Sequence, residues 1–353
     1  MSFLTVNKVK LTYKERIAGL SECTQNAKKV AENNFKVFCK EEYEGRTHLE
    51  VIKEMSAIQK AQPEAIFEVL QRWVNWNKKL NPRSIRAYLG NLNTLLRYYD
   101  VKLTKEDLND YVSMPRVHEE DLHPCGLEEV KKILDVSGFK LRGLYLGMLS
   151  SGLRPVEISH IRVKDLDINK KRIVVHVPAK WTKLKRAKVT FFSKEAKPYI
   201  LELCKDKKKS DYVFGGSTIG IDIGLKRAYS RAGFEERYEH NNRNKITPMS
   251  FRAYFITKIS RLDPNLAKML AGQKGYLLQY DRLTEDEKLE KYVEFEGDLL
   301  VNEYVKTEDT KELSKRVYKV LSDLMSEEGT IEDSRKAEDE LLNLYNSLKK
   351  ENS

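Results

Sequence analysis

The apolar residues of this chain recur at helical spacing through most of its length, and the period changes in one place. At 172–192 two β-rich runs, RIVVHVPAK (172–180) and KVTFF (188–192), flank a basic turn, WTKLKRA. Two such runs around a short polar turn are a hairpin signal. The sequence around them reads as helix. The expected fold is therefore mostly α with a small β-hairpin or sheet, an α+β arrangement. At 353 residues, two domains are expected.

The first third carries its apolar residues on helical faces. One run passes from Ala27 through Val30 and Phe35 to Phe38. A second, Ala65 to Leu80, contains Ile66, Val69, Leu70, Trp73 and Val74. A third opens at Asn81-Pro82, an N-cap residue followed by proline at the first helical position, and places Ile85, Leu89, Leu92, Leu96 and Tyr99 on one face. Arg83, Arg86 and Arg97 lie off that face. Residues 112–124, VSMPRVHEEDLHP, hold two prolines and three acids and read as a linker. Helices follow at GLEEVKKIL and FKLRGLYLGMLSSGL. After the hairpin, helix resumes near Lys194 and again after Thr247-Pro248, with an interruption at Gly297 before a charged helical tail. There is no internal repeat.

The formal charge of +11 and a pI of about 9.2 favour a polyanionic partner, most often nucleic acid. The four cysteines, Cys23, Cys39, Cys125 and Cys204, form neither a zinc pair nor a disulfide framework. No apolar run approaches the ~20 residues of a membrane span, and MSFLTVNKVK lacks a signal-peptide pattern. A cytoplasmic protein with no membrane partner is expected.

SGLRPVEIS (151–159) puts Gly152, Arg154 and Pro155 just ahead of Glu157, at the start of a helix. Glycine permits a tight entry, proline fits the first helical turn, and a helix start favours anions. The planar fork of Arg154 suits a phosphate, with Glu157 three residues on to hold the guanidinium. On this stretch alone, a surface arginine paired with Glu157 is the simpler account. Three further features add to it. From Lys164 to Lys194 ten lysines and arginines face two acids, and a turn carrying Lys180 and Lys183 is long enough to enter a nucleic-acid groove. TPMSFRAYFITKI (247–259) repeats the cap-proline-arginine order with Thr247, Pro248 and Arg252. AGQKGYLLQYDRLTEDEKLEKY (271–292) offers Tyr276, Tyr280 and Tyr292 just past a glycine turn, and a tyrosine can serve as a covalent nucleophile.

This ordered set resembles the tyrosine recombinases, or phage-type integrases. SGLRPVEIS resembles their first arginine box, T-G-x-R-x-x-E. TPMSFRAYF resembles their H-x-x-R box, and LAGQKG their L-G-H turn. QYDRLTEDEKLEKY is similar to the tyrosine region of integrases from archaea and their mobile elements. NPRSIRAYLGNLNTLLRYY resembles the helical, SAM-like core-binding domain that precedes the catalytic domain. The resemblance implies a core-binding domain at 1–111, a linker at 112–124, a tyrosine-recombinase catalytic domain at 125–300 and a charged helical tail at 301–353.

Residue by residue, the resemblance implies that Arg154 and Arg252 clamp the scissile phosphate and that Glu157 orients Arg154. It makes Lys180 the general acid for the leaving 5′-hydroxyl, with Lys183 as runner-up, and Tyr280 the nucleophile, two residues before Arg282 in a Y-x-R-x-T-E pattern. Met249 and Gln273 stand where the family has histidines. Glutamine still donates a hydrogen bond and methionine does not. His240 is a possible substitute, and His176 on the strand is expected to be structural. The implied chemistry uses no metal and no cofactor. It implies double-stranded DNA as partner, gripped through phosphates by Arg83, Arg86, Lys183, Lys185 and Arg186, and a cyclic homotetramer on that DNA. It also implies a nucleoid-associated, virus-encoded or mobile-element-encoded integrase, with integration, excision, transposition and dimer resolution all open as its role. The alternatives are a catalytically weak or inactive DNA-binding relative and an enzyme of the type IB topoisomerase kind. From Glu285 to Leu300 seven acids face two lysines, so this segment is expected to turn away from DNA. Leu313, Val317, Val320 and Leu324 then recur at heptad-like spacing, to pack on a neighbour or on their own domain.

Overall fold

The computed structural model describes residues 11–117, 121–239, 241–273 and 283–302. Tyr276, Tyr280, Arg282, His240 and the tail from residue 303, with its heptad-like leucines and valines, lie outside the described residues. The chain divides into two compact units between residues 120 and 121.

The first unit is all helix: α1 (Tyr13–Ile17), α2 (Glu22–Glu42), α3 (His48–Ile58), α4 (Pro63–Trp76), α5 (Pro82–Tyr98) and α6 (Lys105–Tyr111). Side-chain caps start most of them. Thr12, Thr47 and Thr104 each form a reciprocal capping box with the acid three residues on, and Asn81 accepts from the Arg83 N–H. Phe35, Phe38, Ile52, Ile66, Leu70, Trp73, Leu92 and Leu96 fill the core. The Trp73 indole donates to Asn34 Oδ1 at 2.8 Å, and Asn34 and Asn77 bond each other, so the polar atoms under α4 are satisfied. Val112 completes this core, and the Ser113 N–H donates to Gln71 Oε1 at 2.7 Å. Val30 departs from its expected face. It is 47% exposed, because the buried stripe of α2 runs through Ala31, Phe35 and Phe38, and Val30 precedes Ala31 by a turn of 100°.

The second unit contains α7 (Leu127–Asp135), α8 (Phe139–Ser151), α9 (Pro155–Ser159), β1 (Leu166–Asp167), β2 (Ile173–Val177), β3 (Lys188–Phe192), α10 (Lys197–Cys204), α11 (Thr218–Arg231), α12 (Pro248–Ser260), α13 (Pro264–Ala271) and α14 (Glu285–Phe295). The three strands form an antiparallel sheet in the order β1-β2-β3, with Ile173 opposite Phe192, Val175 opposite Thr190 and Val177 opposite Lys188. The expected small sheet is present, and helix dominates the rest. Both faces of the sheet are covered. Ile173, Val175, Val177 and Phe192 join the core built on α8, while Val174 and Phe191 join a second cluster with α13 and α14. This explains why β2 is apolar without alternation from Ile173 to Val175.

α8 is buried on all sides from Gly143 to Ser151. It ends at Gly152, whose φ of +62° is a left-handed cap. A Cβ there would lie 2.3 Å from Phe255 Cδ1, so only glycine fits. The chain then turns directly into Arg154 and α9. At this same end of α8, α14 is held down by Tyr292, fully buried, whose hydroxyl donates to the Ser150 carbonyl at 2.9 Å. The one-turn helix that follows places Glu296 against Arg172 at 2.6 Å, a buried pair, and Glu296 also accepts from the Lys194 N–H. Among the described residues no helix is long and apolar enough to cross a membrane.

Candidate active site

Glu157 organises the site. It is the third residue of α9 and is fully buried. Its carboxylate accepts from the Arg154 N–H at 2.8 Å and from Arg154 Nη1 at 2.7 Å. The backbone N–H that a bare helix start would offer to a ligand is therefore already taken by Glu157. The guanidinium, held by the same carboxylate, is 21% exposed and free to face outward.

Two more cations converge on Glu157 from distant parts of the chain. Lys188, the first residue of β3, donates from Nζ to Oε2 at 3.0 Å, with a side chain only 7% exposed. Arg252, on α12, has Nη1 3.9 Å from the same oxygen and donates to the Gly152 carbonyl at 2.5 Å. Gly152 thus serves twice, as the cap that turns the chain and as the acceptor that fixes Arg252. Lys188 Nζ also donates to the carbonyl of Ala271, the last residue of α13, at 3.0 Å. Gly272 follows with φ of +64°, and a Cβ there would lie 2.7 Å from Lys188 Cδ. The lysine stem therefore packs directly against this turn.

Three cations around one carboxylate leave a positive surplus in a dry setting. Burial alone would raise the Glu157 pKa. Lys188, the Arg154 N–H and the Arg154 charge outweigh it and hold the carboxyl below its ordinary value. Burial pushes Lys188 down to about 8, against the pull of Glu157. Burial, with Arg154 nearby, lowers Arg252 to about 10, so it remains charged at neutral pH. Among the described residues each guanidinium is bonded through Nη1, Arg154 also through its backbone N–H, and neither carries a sealed nitrogen without a partner. The Arg154 guanidinium is partly open to solvent, whereas Arg252, 3% exposed, lies beneath the surface. Such an arrangement has the chemistry to hold a tetrahedral anion, since its donors are pre-oriented in a low dielectric.

The basic turn is built differently. A short 3₁₀ turn, Ala179–Trp181, follows Pro178, and Lys180 is exposed on it with Nζ 5.2 Å from the Trp181 ring centre. Buried Thr182 ties the turn together. Its hydroxyl lies 3.0 Å from the Ala179 carbonyl and 2.9 Å from that of Arg186, and accepts from the Arg186 N–H. Lys185, at φ of +53°, donates to the Lys180 carbonyl at 3.0 Å. Lys183, Lys185 and Arg186 are exposed. A recess of about 280 Å³ lies here, lined by Lys180, Trp181, His160, Arg162 and Lys164 among others. The His160 ring stacks on Trp181 with centroids 3.6 Å apart.

The structure therefore brings together Arg154, Glu157 and Arg252, and adds Lys188, which sequence reasoning counted only as one of ten hairpin cations. Lys180 and Lys183 stand apart from that cluster, on the turn. Met249 is 47% exposed on the first turn of α12, and Gln273 follows the Gly272 turn, its N–H donating to the Lys268 carbonyl at 2.9 Å. Arg83 and Arg86 are exposed on α5 of the first unit. His176 is half exposed, with Nδ1 3.7 Å from Glu285. A signal for Lys188 was present. In KVTFF, strand alternation puts it on the face of Phe192.

Residues 127–270 match the phage integrase family. The matched segment runs from the start of α7 into α13 and contains Arg154, Glu157, Lys188 and Arg252. Among solved structures, the XerA recombinase is 15% identical, with a TM-score of 0.38 over 76% of this chain and 98% of that one. A lambda integrase (75-356) dimer bound to a COC′ core site is 12% identical, with a TM-score of 0.46 over 62% and 82%. The Tn1549 transposon integrase (aa 82-397) in complex with circular intermediate DNA is 15% identical, with a TM-score of 0.41 over 74% and 98%. No curated protein matches the chain.

Proposed function

We propose that this protein is a site-specific DNA recombinase that breaks and rejoins DNA through a 3′-phosphotyrosyl intermediate. The observation that carries the reading is the convergence of Arg154 and Arg252, almost a hundred residues apart, on the buried carboxylate of Glu157, within a segment that matches the phage integrase family. In this reading the two guanidiniums hold the non-bridging oxygens of the scissile phosphate. Tyr280 attacks phosphorus. The phenol proton of Tyr280 passes to solvent water, the Tyr280 oxygen–phosphorus bond forms, the phosphorus–O5′ bond breaks, and Lys180 delivers a proton to the departing 5′-oxygen. The phosphotyrosyl bond retains the energy of the broken linkage, so a 5′-hydroxyl from a second duplex reverses the attack and joins a new partner.

The first unit would act as the core-binding domain (1–111), joined by 112–124 to the catalytic domain (125–300). Arg83, Arg86 and the exposed turn with Lys183, Lys185 and Arg186 would supply phosphate contacts, and binding would weaken steeply with salt. Two duplexes require four sites, which a head-to-tail ring of four copies provides. The origin in a virus or mobile element, and an archaeal host, belong to this proposal.

A second reading has a specific observation in its favour. Met249 presents an exposed thioether where the family has an imidazole, and Gln273 is the other departure. A DNA-binding relative with weak chemistry would tolerate both. The test uses two differently labelled duplexes from the DNA flanking the gene, incubated with the full chain in chelator. Recombinant products carrying both labels support the proposal. Relaxation of a supercoiled plasmid carrying the same sequences, without recombinants, points to a topoisomerase, and binding with neither product points to the inactive relative.

A further inference from the structure

We infer that Lys188 is a positioning residue for strand cleavage, which ties the Glu157-anchored arginine pair to the Gly272–Gln273 turn at the end of α13. The inference rests on the recombinase reading above and adds a residue to it. Among the described residues Lys188 is the one side chain that bonds both parts: Nζ donates to Glu157 Oε2 and to the Ala271 carbonyl, each at 3.0 Å. Its stem is gripped by the left-handed turn at Gly272, where a Cβ would lie 2.7 Å from Lys188 Cδ. It is also fixed at its root, because β3 pairs Lys188 with Val177 and the next residue on that face, Thr190, donates to the Ser151 carbonyl at 2.8 Å.

The groups that face Nζ are Glu157 and Arg154 at the start of α9, Arg252 on α12 and the last carbonyl of α13. One carboxylate, two guanidiniums and one ammonium make a frame in which every member is held by another. With Lys188 protonated, Glu157 is shared between three cations and Arg252 remains bonded to the Gly152 carbonyl, 3.9 Å from the carboxylate. With Lys188 neutral, Glu157 has two cations left, and its pull on Arg252 is no longer opposed from the β3 side. The ammonium donor to the Ala271 carbonyl weakens at the same moment. Both halves of the site then lose their common reference, and the arginine pair and the turn drift relative to each other.

The proton in question leaves near pH 8, because burial lowers the lysine. Cleavage is therefore expected to decline as pH rises through about 8. Unfolding is not the cause of that decline. A lysine whose folded pKa lies below its unfolded one makes the folded state more favoured, not less, as pH rises between the two values. A loss of activity across a window in which this group adds stability is the signature of positioning rather than of structural support.

The test has two arms. In the first, the full chain and its Lys188→Arg and Lys188→Met variants form covalent adducts on labelled nicked duplexes tiled across the DNA flanking the gene, over a range of pH. Lys188→Arg keeps its charge and should hold its rate above the pH at which the wild type declines. Lys188→Met should be slower by about 100-fold at neutral pH, the scale of a small misplacement of reacting groups, with duplex binding retained. An alkaline decline unchanged in Lys188→Arg, or a Lys188→Met variant as fast as wild type, overturns the inference while leaving the recombinase reading intact. In the second arm, glycine-labelled protein is titrated by NMR. The Gly272 amide should shift with a midpoint near 8 in the wild type and stay flat in Lys188→Met. A Gly272 amide that ignores Lys188 overturns the link to the turn. A Gly272 amide that follows Lys188, with no adduct on any duplex, sinks the recombinase reading and leaves the link standing.

Discussion

Lys180 and Lys188 belong to one hairpin, and the fold treats them in opposite ways. Lys188 opens β3 on the face that carries Phe192, so strand alternation drives it inward, where a buried carboxylate must balance it. Lys180 lies on the short turn that leaves β2, has no such partner among the described residues, and rests over Trp181 at the surface. The inner lysine belongs to a rigid electrostatic frame with Arg154, Glu157 and Arg252. The outer one is an exposed charge on a basic rim. Counting both as hairpin cations conceals the difference, because the register of a strand decides which of two lysines is dry.

Six substitutions sharpen that contrast. Arg252→Ala strikes the frame directly and should lower the rate of adduct formation about 1,000-fold, the usual cost of losing a pre-oriented donor to a developing negative charge. Denaturing gels of labelled nicked duplexes measure it. Lys180→Ala should cost about 100-fold in the same assay, the scale of a lost general acid, with an unchanged melting temperature. If Lys183→Ala is the slower of the two variants, the acid belongs at Lys183. Glu157→Gln should destabilise the folded chain by about 3 kcal/mol, because three buried or half-buried cations lose their anion. Since the Glu157 pKa is lowered in the folded state, it adds stability above its unfolded value that is lost as pH falls through the folded one. Urea unfolding at several acid pH values should show that part of the acid sensitivity missing in Glu157→Gln. Gly152→Ala should cost about 2 kcal/mol by thermal unfolding, from the collision with Phe255 and the positive φ. On the rim, Arg186→Ala should leave stability within about 0.5 kcal/mol and reduce the salt slope of DNA binding by about 1.

Much of the frame was legible before the structure. Gly152, Arg154, Pro155 and Glu157 fall within six residues, where local rules of caps and spacing apply, and the structure joins Arg154 to Glu157 as that spacing suggests. The helical stripes of α4 and α5 were legible for the same reason, since Ile66, Leu70, Trp73 and Ile85, Leu89, Leu92, Leu96 repeat at the helical period. The partners that come from far away were not. Nothing in the local sequence says that Lys188 meets Glu157, that Arg252 reaches Gly152, or that Arg172 meets Glu296 across 124 positions. Those pairings follow from a three-stranded sheet buried on both faces and a central helix buried all round, and neither can be read from periodicity. Val30 shows the converse, an apolar residue at plausible spacing that lies just off the buried stripe.

The most direct measurement is covalent trapping. Labelled nicked duplexes drawn from the DNA flanking the gene are mixed with the full chain in chelator and resolved on a denaturing gel, beside the Tyr280→Phe variant. The account predicts a protein–DNA band with the wild type and none with Tyr280→Phe. A band that survives in Tyr280→Phe contradicts the assigned nucleophile, and the absence of any band from wild type that still binds these duplexes contradicts the claim that this chain is a recombinase.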